Sequence, residues 1–188
     1  MHYFSLLVNQ DICDHIAKET NKYAIQCRSK KAETKWDKTN GIEIQAYLGI
    51  LIYMGMVDLP EIRDYFIDDF CVCPIVRQAM TPCRFEKMSQ YLHLNDEVRL
   101  KFREQNYDFL YKVQPALDII KKYGHYYKPG HDLSVDEAII GFKGRFNIKQ
   151  YMPKKPTKWG IEAWCIADSK TGYLLKCQIY LGKKNDLL

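Results

Sequence analysis

"KPGHDLSVDEAIIGF" occupies residues 128–142 and separates two kinds of sequence. Lys128, Pro129 and Gly130 are residues typical of a turn. The apolar residues after this turn stand among few helix formers, which predicts a β-strand. The turn therefore divides the chain into an upstream and a downstream part, and each part has its own pattern.

A hairpin is predicted further along, in "GIEAWCIADSKTGYLLKCQIYLG" at residues 160–182. Its two strands are expected at 161–167 and 173–180, because the turn residues DSKTG at 168–172 separate two runs rich in strand formers. Three strands in series without a crossover helix predict an antiparallel meander.

The residues upstream of the turn have the periodicity of helices instead. Their apolar side chains recur at helical spacing, and the predicted helices lie at 11–28, 42–60, 80–94 and 108–130. The second of these helices is apolar on nearly every face, which predicts burial. The sequence thus predicts an α+β fold, with an all-helical region at 1–130 and a sheet at 131–188.

Local signals mark where these helices begin and bend. Asn9 or Asp11 is expected to cap the first helix, and Thr81 is expected to cap the third, with Pro82 at its first position. Pro115 is expected to kink the fourth helix, because proline cannot donate the main-chain hydrogen bond that a helix interior requires.

Composition and charge narrow the function classes. The chain has 188 residues and a net charge of +5. Residues 1–120 carry −2 and residues 121–188 carry +7, so the excess of cations lies in the last third. Such asymmetry is typical of a polyanionic partner, although a chance excess on a soluble surface remains the alternative. We find neither a membrane span nor a secretory signal, and we expect no membrane partner.

The seven cysteines form no disulfide framework, which favours a reducing compartment. The closest cluster that could bind zinc is Cys71, Cys73, Cys83 and His93. Its Cys-x-Cys spacing is not that of a zinc knuckle, so small buried or loop thiols are the preferred interpretation.

Carboxylates interrupt the first strand. Strand side chains alternate, so Asp136 points away from Leu133, Val135 and Glu137. An aspartate fixed on a strand could provide one oxygen ligand for Mg²⁺, and a two-ion site would need further carboxylates. The local sequence offers only Glu137, and solvent exposure on an edge strand is the alternative.

Residues 141–158 form an arm that has six cations and no acids. Lysine and arginine on an extended segment can follow a phosphate backbone, and interleaved aromatic rings can stack or pack. The alternative is a solvated connector whose aromatic side chains pack down. The candidate DNA-binding residues are Lys143, Arg145, Lys149, Lys154, Lys155 and Lys158.

Combined motifs give the chain a resemblance to a known family. "LSVDEAIIGFKGR", "YMPKKPTKWGI" and "DSKTGY" resemble, in order, the central block of the piggyBac transposase family. The upstream segments "GIEIQAYLGILIYMGMVDLPEIRDYF" and "MTPCRFEKMSQYLHLND" resemble its helical region. The resemblance covers essentially the whole chain, and it is specific because the motifs occur together.

The resemblance implies an RNase H-like core that cuts and pastes DNA with Mg²⁺ held by three aspartates. The first aspartate corresponds to Asp136, as a catalytic and metal-binding residue. The other two would come after the third strand; Asp168 lies in a turn and Asp186 near the last residue, so neither replaces them. The cysteine-rich DNA-binding module of the family has no counterpart. Residues 131–188 are therefore expected to be the first three antiparallel strands of an incomplete core.

These implications lead to one main hypothesis and two alternatives. The main hypothesis is a fragment or derivative of a piggyBac-like transposase that binds double-stranded DNA in the nucleus, dimerises through residues 1–130, and is not catalytic alone. The first alternative is a domesticated module that binds protein or chromatin through the helices. The second is a nuclease completed by sequence elsewhere. No small-molecule cofactor is expected.

Overall fold

A computed structural model describes residues 2–28, 36–67, 73–95 and 108–182. The chain divides into two compact units, Met1–Pro115 and Ala116–Leu188, here called the helical unit and the sheet unit. The predicted α+β class is confirmed, with helices first and an antiparallel sheet after them. The assignment of separate functions to residues 1–130 and 131–188 stays a prediction.

The described residues of the helical unit are mainly helical. Its α-helices are α1 (His2–Leu7), α2 (Gln10–Arg28), α3 (Gly41–Met56), α4 (Pro74–Ala79) and α5 (Pro82–Tyr91). Two 3₁₀ helices lie at Ile62–Phe66 and Tyr111–Val113. Three of the α-helices correspond to those predicted.

Side chains cap these helices as local chemistry predicts. The Ile12 amide donates to Asn9 Oδ1 at 3.0 Å, so Asn9 rather than Asp11 caps α2. The Arg84 amide donates to the Thr81 hydroxyl at 3.3 Å, with Pro82 in the first turn of α5. Both interactions satisfy main-chain donors that would otherwise lack a partner at a helix start.

The core of the helical unit is apolar and rich in aromatic rings. Ile44 on α3 and Met88 on α5 are fully enclosed. The Phe85 ring lies 5.1 Å from Tyr47 and 5.5 Å from Phe66, measured between centroids. Aromatic groups at such distances add edge and stacking attraction to the burial of their area.

An ion pair between Arg84 and Glu43 joins α5 to α3. Arg84 donates from Nε and Nη2 to the two carboxylate oxygens of Glu43 at 2.6 and 2.7 Å. The guanidinium also lies 4.5 Å from the ring centroid of Trp36. The hydrogen bonds from Arg84 hold the pKa of Glu43 below its usual value. The pair is largely shielded from water, where a bidentate contact is strongest.

α3 differs from its prediction in two ways. It ends at Met56, where Val57 turns to extended backbone, and the main chain beyond it hydrogen-bonds to the Tyr65 hydroxyl. Only one face is buried; Ile52 and Met56 on the other side are 51% and 73% exposed. An all-apolar helix needs neighbours on every side to be buried, and the described residues cover one side.

The expected kinked helix at 108–130 is replaced by separate short elements. A 3₁₀ turn precedes α6 (Gln114–Lys121), and α7 (Tyr123–Tyr126) follows it. Pro115 is the second residue of α6 and so helps to begin a helix rather than bending one. Proline is well tolerated there because the first amides of a helix have no partner within it.

The sheet contains β1 (Leu133–Gly141), β2 (Lys149–Tyr151), β3 (Trp159–Asp168) and β4 (Leu174–Ile179). β3 is central and antiparallel to the other three. β1 lies along one side of it, and β2 and β4 pair with successive parts of the other side. Three strands match the predicted meander, whereas β2 is an additional strand within the arm.

Gly160 allows β1 and β3 to approach each other at the end of the sheet. A Cβ at this position would lie 2.5 Å from both the Ile140 carbonyl oxygen and a methyl group of Ile139. Real Cβ atoms do not approach other atoms so closely, so only glycine fits without movement of the main chain.

The turn between β3 and β4 is built around Asp168. Its buried carboxylate accepts hydrogen bonds from the amides of Gly130, Lys170 and Thr171 at 2.7–2.9 Å. These amides lower the pKa of Asp168 to about 2. Gly172 completes the turn with a φ of 72°, a conformation that glycine adopts without strain. The predicted DSKTG turn is confirmed.

The structure also bears on the expectations about a membrane span and a zinc site. None of the helices in the described ranges is long and apolar enough to cross a membrane. Of the four residues considered for zinc, Cys71 lies outside the described residues; Cys73 is buried, and His93 stacks on Tyr23 with centroids 4.2 Å apart.

Candidate nucleic-acid interface and acidic strand

Asp136 lies on the exposed surface of β1, in register with Cys165 of β3. Glu137 pairs with Trp164 and therefore faces the other side of the sheet. The Glu137 amide donates to Asp136 Oδ1 at 2.8 Å. This hydrogen bond, with the positive charge of Lys155 nearby, lowers the pKa of Asp136, so the side chain is a carboxylate at neutral pH.

The arm folds back onto this strand. Lys155 Nζ lies 3.7 Å from Glu137 Oε2 and donates to the Glu137 carbonyl at 3.2 Å. The second half of the arm, which Pro153 and Pro156 would be expected to keep extended, is not extended. The Met152 amide donates to the Lys158 carbonyl at 2.8 Å, so the chain closes into a loop that joins β2 to β3. The basic arm thus contacts the acidic strand at Glu137, within the sheet unit.

The predicted DNA-binding cations fall into two groups. Lys155 is held against Glu137, and Lys149 Nζ donates to the Gly144 carbonyl at 2.8 Å. The other four side chains are exposed and form no ion pair with the described residues: Lys143, Arg145, Lys154 and Lys158. Free cations on an exposed loop can neutralise phosphates without first breaking a contact within the protein.

Two exposed rings stand at the ends of the loop that carries Lys154 and Lys158. Tyr151 and Trp159 are each 52% exposed, and their ring centroids are 4.6 Å apart. Lys149 Nζ is 5.2 Å from the centroid of Trp159. Tyr151 is one of the aromatic residues interleaved in the arm, whereas Trp159 was missed by the sequence reasoning. The only sequence signal for Trp159 is its position directly after Lys158, at the end of the basic run.

The described residues do not complete a magnesium site. No group of three or more histidine, cysteine, aspartate or glutamate side chains in the described ranges could hold a metal ion. Asp136 and Glu137 face opposite sides of the sheet, and Glu137 already interacts with an ammonium group. The Asp168 carboxylate is occupied by main-chain amides. One exposed carboxylate provides too few oxygen ligands.

Comparison with sequence families gives one match over nearly the whole chain. The family described as Transposase IS4 matches residues 1–187. Human PiggyBac transposable element-derived protein 3 is 28% identical over 180 residues, covering 95% of this chain and 28% of that protein. Human PiggyBac transposable element-derived protein 5 is 24% identical over 187 residues, covering 95% of this chain and 34% of that protein.

A solved structure has the same fold. It is a piggyBac transposase in a synaptic complex with hairpin DNA, determined by cryo-EM. The TM-score is 0.81 at 29% sequence identity, over 97% of this chain and 38% of the other. The chain therefore spans between 28% and 38% of the length of these three proteins.

Proposed function

Because the chain belongs to the IS4 and piggyBac-type family of DDE transposases, we propose that it binds double-stranded DNA through the loop between β2 and β3. The observation that supports this most directly is that Lys154 and Lys158 on this loop are exposed and form no ion pair with the described residues, and that two exposed rings, Tyr151 and Trp159, stand at its two ends. Phosphate contacts from such side chains give affinity without sequence specificity. The DNA in the neighbouring piggyBac complex agrees with this choice of partner.

The test is a duplex-binding titration at several salt concentrations. Replacing Lys154 and Lys158 with glutamine removes two phosphate contacts. The slope of log affinity against log salt should therefore fall by about 2, and affinity should decrease at every salt concentration. Replacing Lys128 and Lys176, two exposed lysines elsewhere in the sheet unit, with glutamine provides the matched control. Equal losses from both double variants would contradict a loop-specific interface.

Lys155 should behave differently from its neighbours. Its side chain contacts Glu137, so replacing Lys155 would alter the conformation of the loop as well as the charge of the loop. Comparing Lys155→Gln with Lys154→Gln by NMR separates the two effects. We expect amide shifts on β1 from the former and not from the latter. Absence of β1 shifts in Lys155→Gln would count against the contact.

Catalysis is not proposed for this stretch of chain by itself. Asp136 is proposed as the first metal ligand of a family site whose other ligands are not among the described residues. Titration with Mg²⁺, followed through the amide signals of β1, should give weak binding that Asp136→Asn abolishes. A tight, stoichiometric site would overturn the claim that the ligand set is incomplete.

A second candidate function is association through α3. Its exposed apolar side includes Ile42, Ile52 and Met56, and apolar patches of this kind often mark interfaces. The corresponding proposal is a homodimer. Sedimentation velocity should show a dimer that Ile52→Glu with Met56→Glu converts to a monomer, whereas Lys87→Glu on α5 should not. If the unaltered protein sediments as a monomer, the homodimer proposal is wrong, and a domesticated module that binds another protein through this face becomes the preferred explanation.

Localisation follows from the proposed partner. A protein that binds chromosomal DNA is expected in the nucleus, and a fluorescent fusion of the chain would test this. Exclusion of the fusion from the nucleus would contradict the proposal. Retention that depends on Lys154 and Lys158 would support it.

A further inference from the structure

Two cysteines face each other across the middle of the sheet. Cys165 on β3 and Cys177 on β4 are directly opposite in the antiparallel register. Both are free thiols of intermediate exposure. Neither belongs to the nucleic-acid interface described above, and neither takes part in the proposed function.

The hydrogen bonds between the strands show which kind of pair they form. The Tyr180 amide donates to the Glu162 carbonyl at 2.9 Å, so residues 162 and 180 are a hydrogen-bonded pair. Pair types alternate along an antiparallel ladder. Cys165 and Cys177 lie three steps further, which makes them a non-hydrogen-bonded pair.

The other side of β3 gives the same answer independently. The Phe142 amide donates to the Trp159 carbonyl at 3.3 Å. Residues 142 and 159 are therefore a hydrogen-bonded pair, and so is the pair six steps along that ladder, Asp136 and Cys165. The amide and carbonyl groups of Cys165 thus point toward β1 and away from β4.

A non-hydrogen-bonded pair has the geometry that a disulfide needs. Its Cα atoms are about 4.5 Å apart, with the side chains closer than in the other type of pair. Disulfides span Cα separations of about 4.4–6.8 Å. Burial and the adjacent Cys165 thiol raise the pKa of Cys177 to about 11, which disfavours the Cys177 thiolate and leaves Cys165 as the first nucleophile toward peroxide.

We propose that Cys165 and Cys177 are a modification site that closes to a cross-strand disulfide with hydrogen peroxide and reopens with a dithiol reductant. Cys165 attacks one peroxide oxygen as its thiolate and breaks the O–O bond, which gives a sulfenic acid, and the leaving hydroxide takes up the thiol proton as the first water. The second thiol attacks the sulfenic sulfur, forms the S–S bond and releases a second water. Two thiols and one peroxide thus give one disulfide and two waters. The dithiol reverses the reaction by exchange.

The location connects this chemistry to the acidic strand. Asp136, Cys165 and Cys177 are successive partners across β1, β3 and β4, so their side chains share one face of the sheet. The cross-link would form beside the proposed metal ligand, and it would fix β4 to β3 next to the bulge between Ile166 and Ala167.

The experiment treats the full 188-residue chain with hydrogen peroxide, blocks remaining thiols with iodoacetamide and analyses tryptic peptides by mass spectrometry. Peptides 159–170 and 177–183 should appear joined, two hydrogen masses below their sum, and should separate after dithiothreitol. Cys83→Ser removes an exposed thiol and should leave the joined peptides unchanged. Cys177→Ser should abolish them.

Phenylarsine oxide, which binds paired thiols, provides a second measurement on the unaltered protein. We expect one equivalent to bind and to prevent the peroxide cross-link. Two outcomes would overturn the proposal. One is alkylation of both Cys165 and Cys177 at a peroxide concentration that fully oxidises Cys83. The other is a cross-link from Cys165 to a different cysteine.

Discussion

Ile44 and Met88 in the helical unit are fully enclosed, whereas Val135 on β1 is 63% exposed and Trp164 on β3 is 45% exposed. In the described part of the sheet unit, the buried apolar side chains are Ile148, Ala163 and Ile179. The helical unit is therefore stabilised mainly by side-chain packing. The sheet unit depends more on its main-chain ladder and on the turns that close it.

The largest expected effect is in the helical core. Met88→Ala removes a fully enclosed side chain and should lower the free energy of unfolding by about 2–5 kcal/mol. The measurement is urea denaturation followed by circular dichroism. Val135→Ala on the open sheet face should cost less than about 1 kcal/mol. Equal losses would refute the distinction between the two units.

The next largest loss of stability is expected from breaking a shielded ion pair, which is compared with breaking an exposed pair of the same residue types. Arg84→Ala breaks a shielded bidentate pair with Glu43 and should cost about 1.5–3 kcal/mol. Arg63→Ala breaks an exposed pair with Glu86, in which the side chains are 77% and 50% exposed, and should cost at most about 1 kcal/mol. Denaturation midpoints that fall equally would mean that burial does not determine the difference.

A main-chain effect is expected at Gly160, where the central strand β3 passes close to β1. Gly160→Ala introduces a methyl group 2.5 Å from a carbonyl oxygen and should destabilise the sheet unit by about 1–3 kcal/mol. Gly49→Ala is the matched control, because a Cβ there meets nothing within 4 Å and alanine favours a helix by about 0.5–1 kcal/mol. Hydrogen exchange of β1 and β3 amides would report the loss.

The smallest effect comes from a single proton. The pKa of Asp168 is lowered to about 2 in the folded chain, so its contribution is present above about pH 4, its unfolded range. The unfolded carboxylate takes up a proton first as the pH falls, and the contribution is lost as the pH approaches 2. Asp168→Asn should flatten this acid dependence. An unchanged slope would contradict the role of the turn.

Features determined by neighbouring residues could be predicted from the sequence. The Thr81 cap and the DSKTG turn are examples, since each depends on atoms within a few residues. The return of the arm to β1 could not be predicted, because Lys155 and Glu137 are distant in sequence and meet only through strand pairing. Exposure of Met56 likewise depends on which elements surround α3.

The candidate site also combines features that the sequence predicts with features that depend on strand pairing. The sequence identified Asp136 and the six cations as candidates. In the structure, two of the cations are engaged by the protein, and the other four are exposed and have no ion-pair partner within the part of the chain that the structure describes. Trp159 was missed because exposure of a tryptophan on a strand contradicts the usual expectation that it is buried. The opposition of Cys165 and Cys177 required the register between two strands, which composition does not provide.

The positions of the tryptophans make the protein suitable for fluorescence. Trp36 is 6% exposed and lies in the helical unit, whereas Trp159 and Trp164 lie on the sheet and are about half exposed. Iodide should quench the two sheet residues and leave the blue-shifted emission of Trp36. Each unit thus carries an intrinsic fluorophore, and unfolding of either can be followed without an added dye.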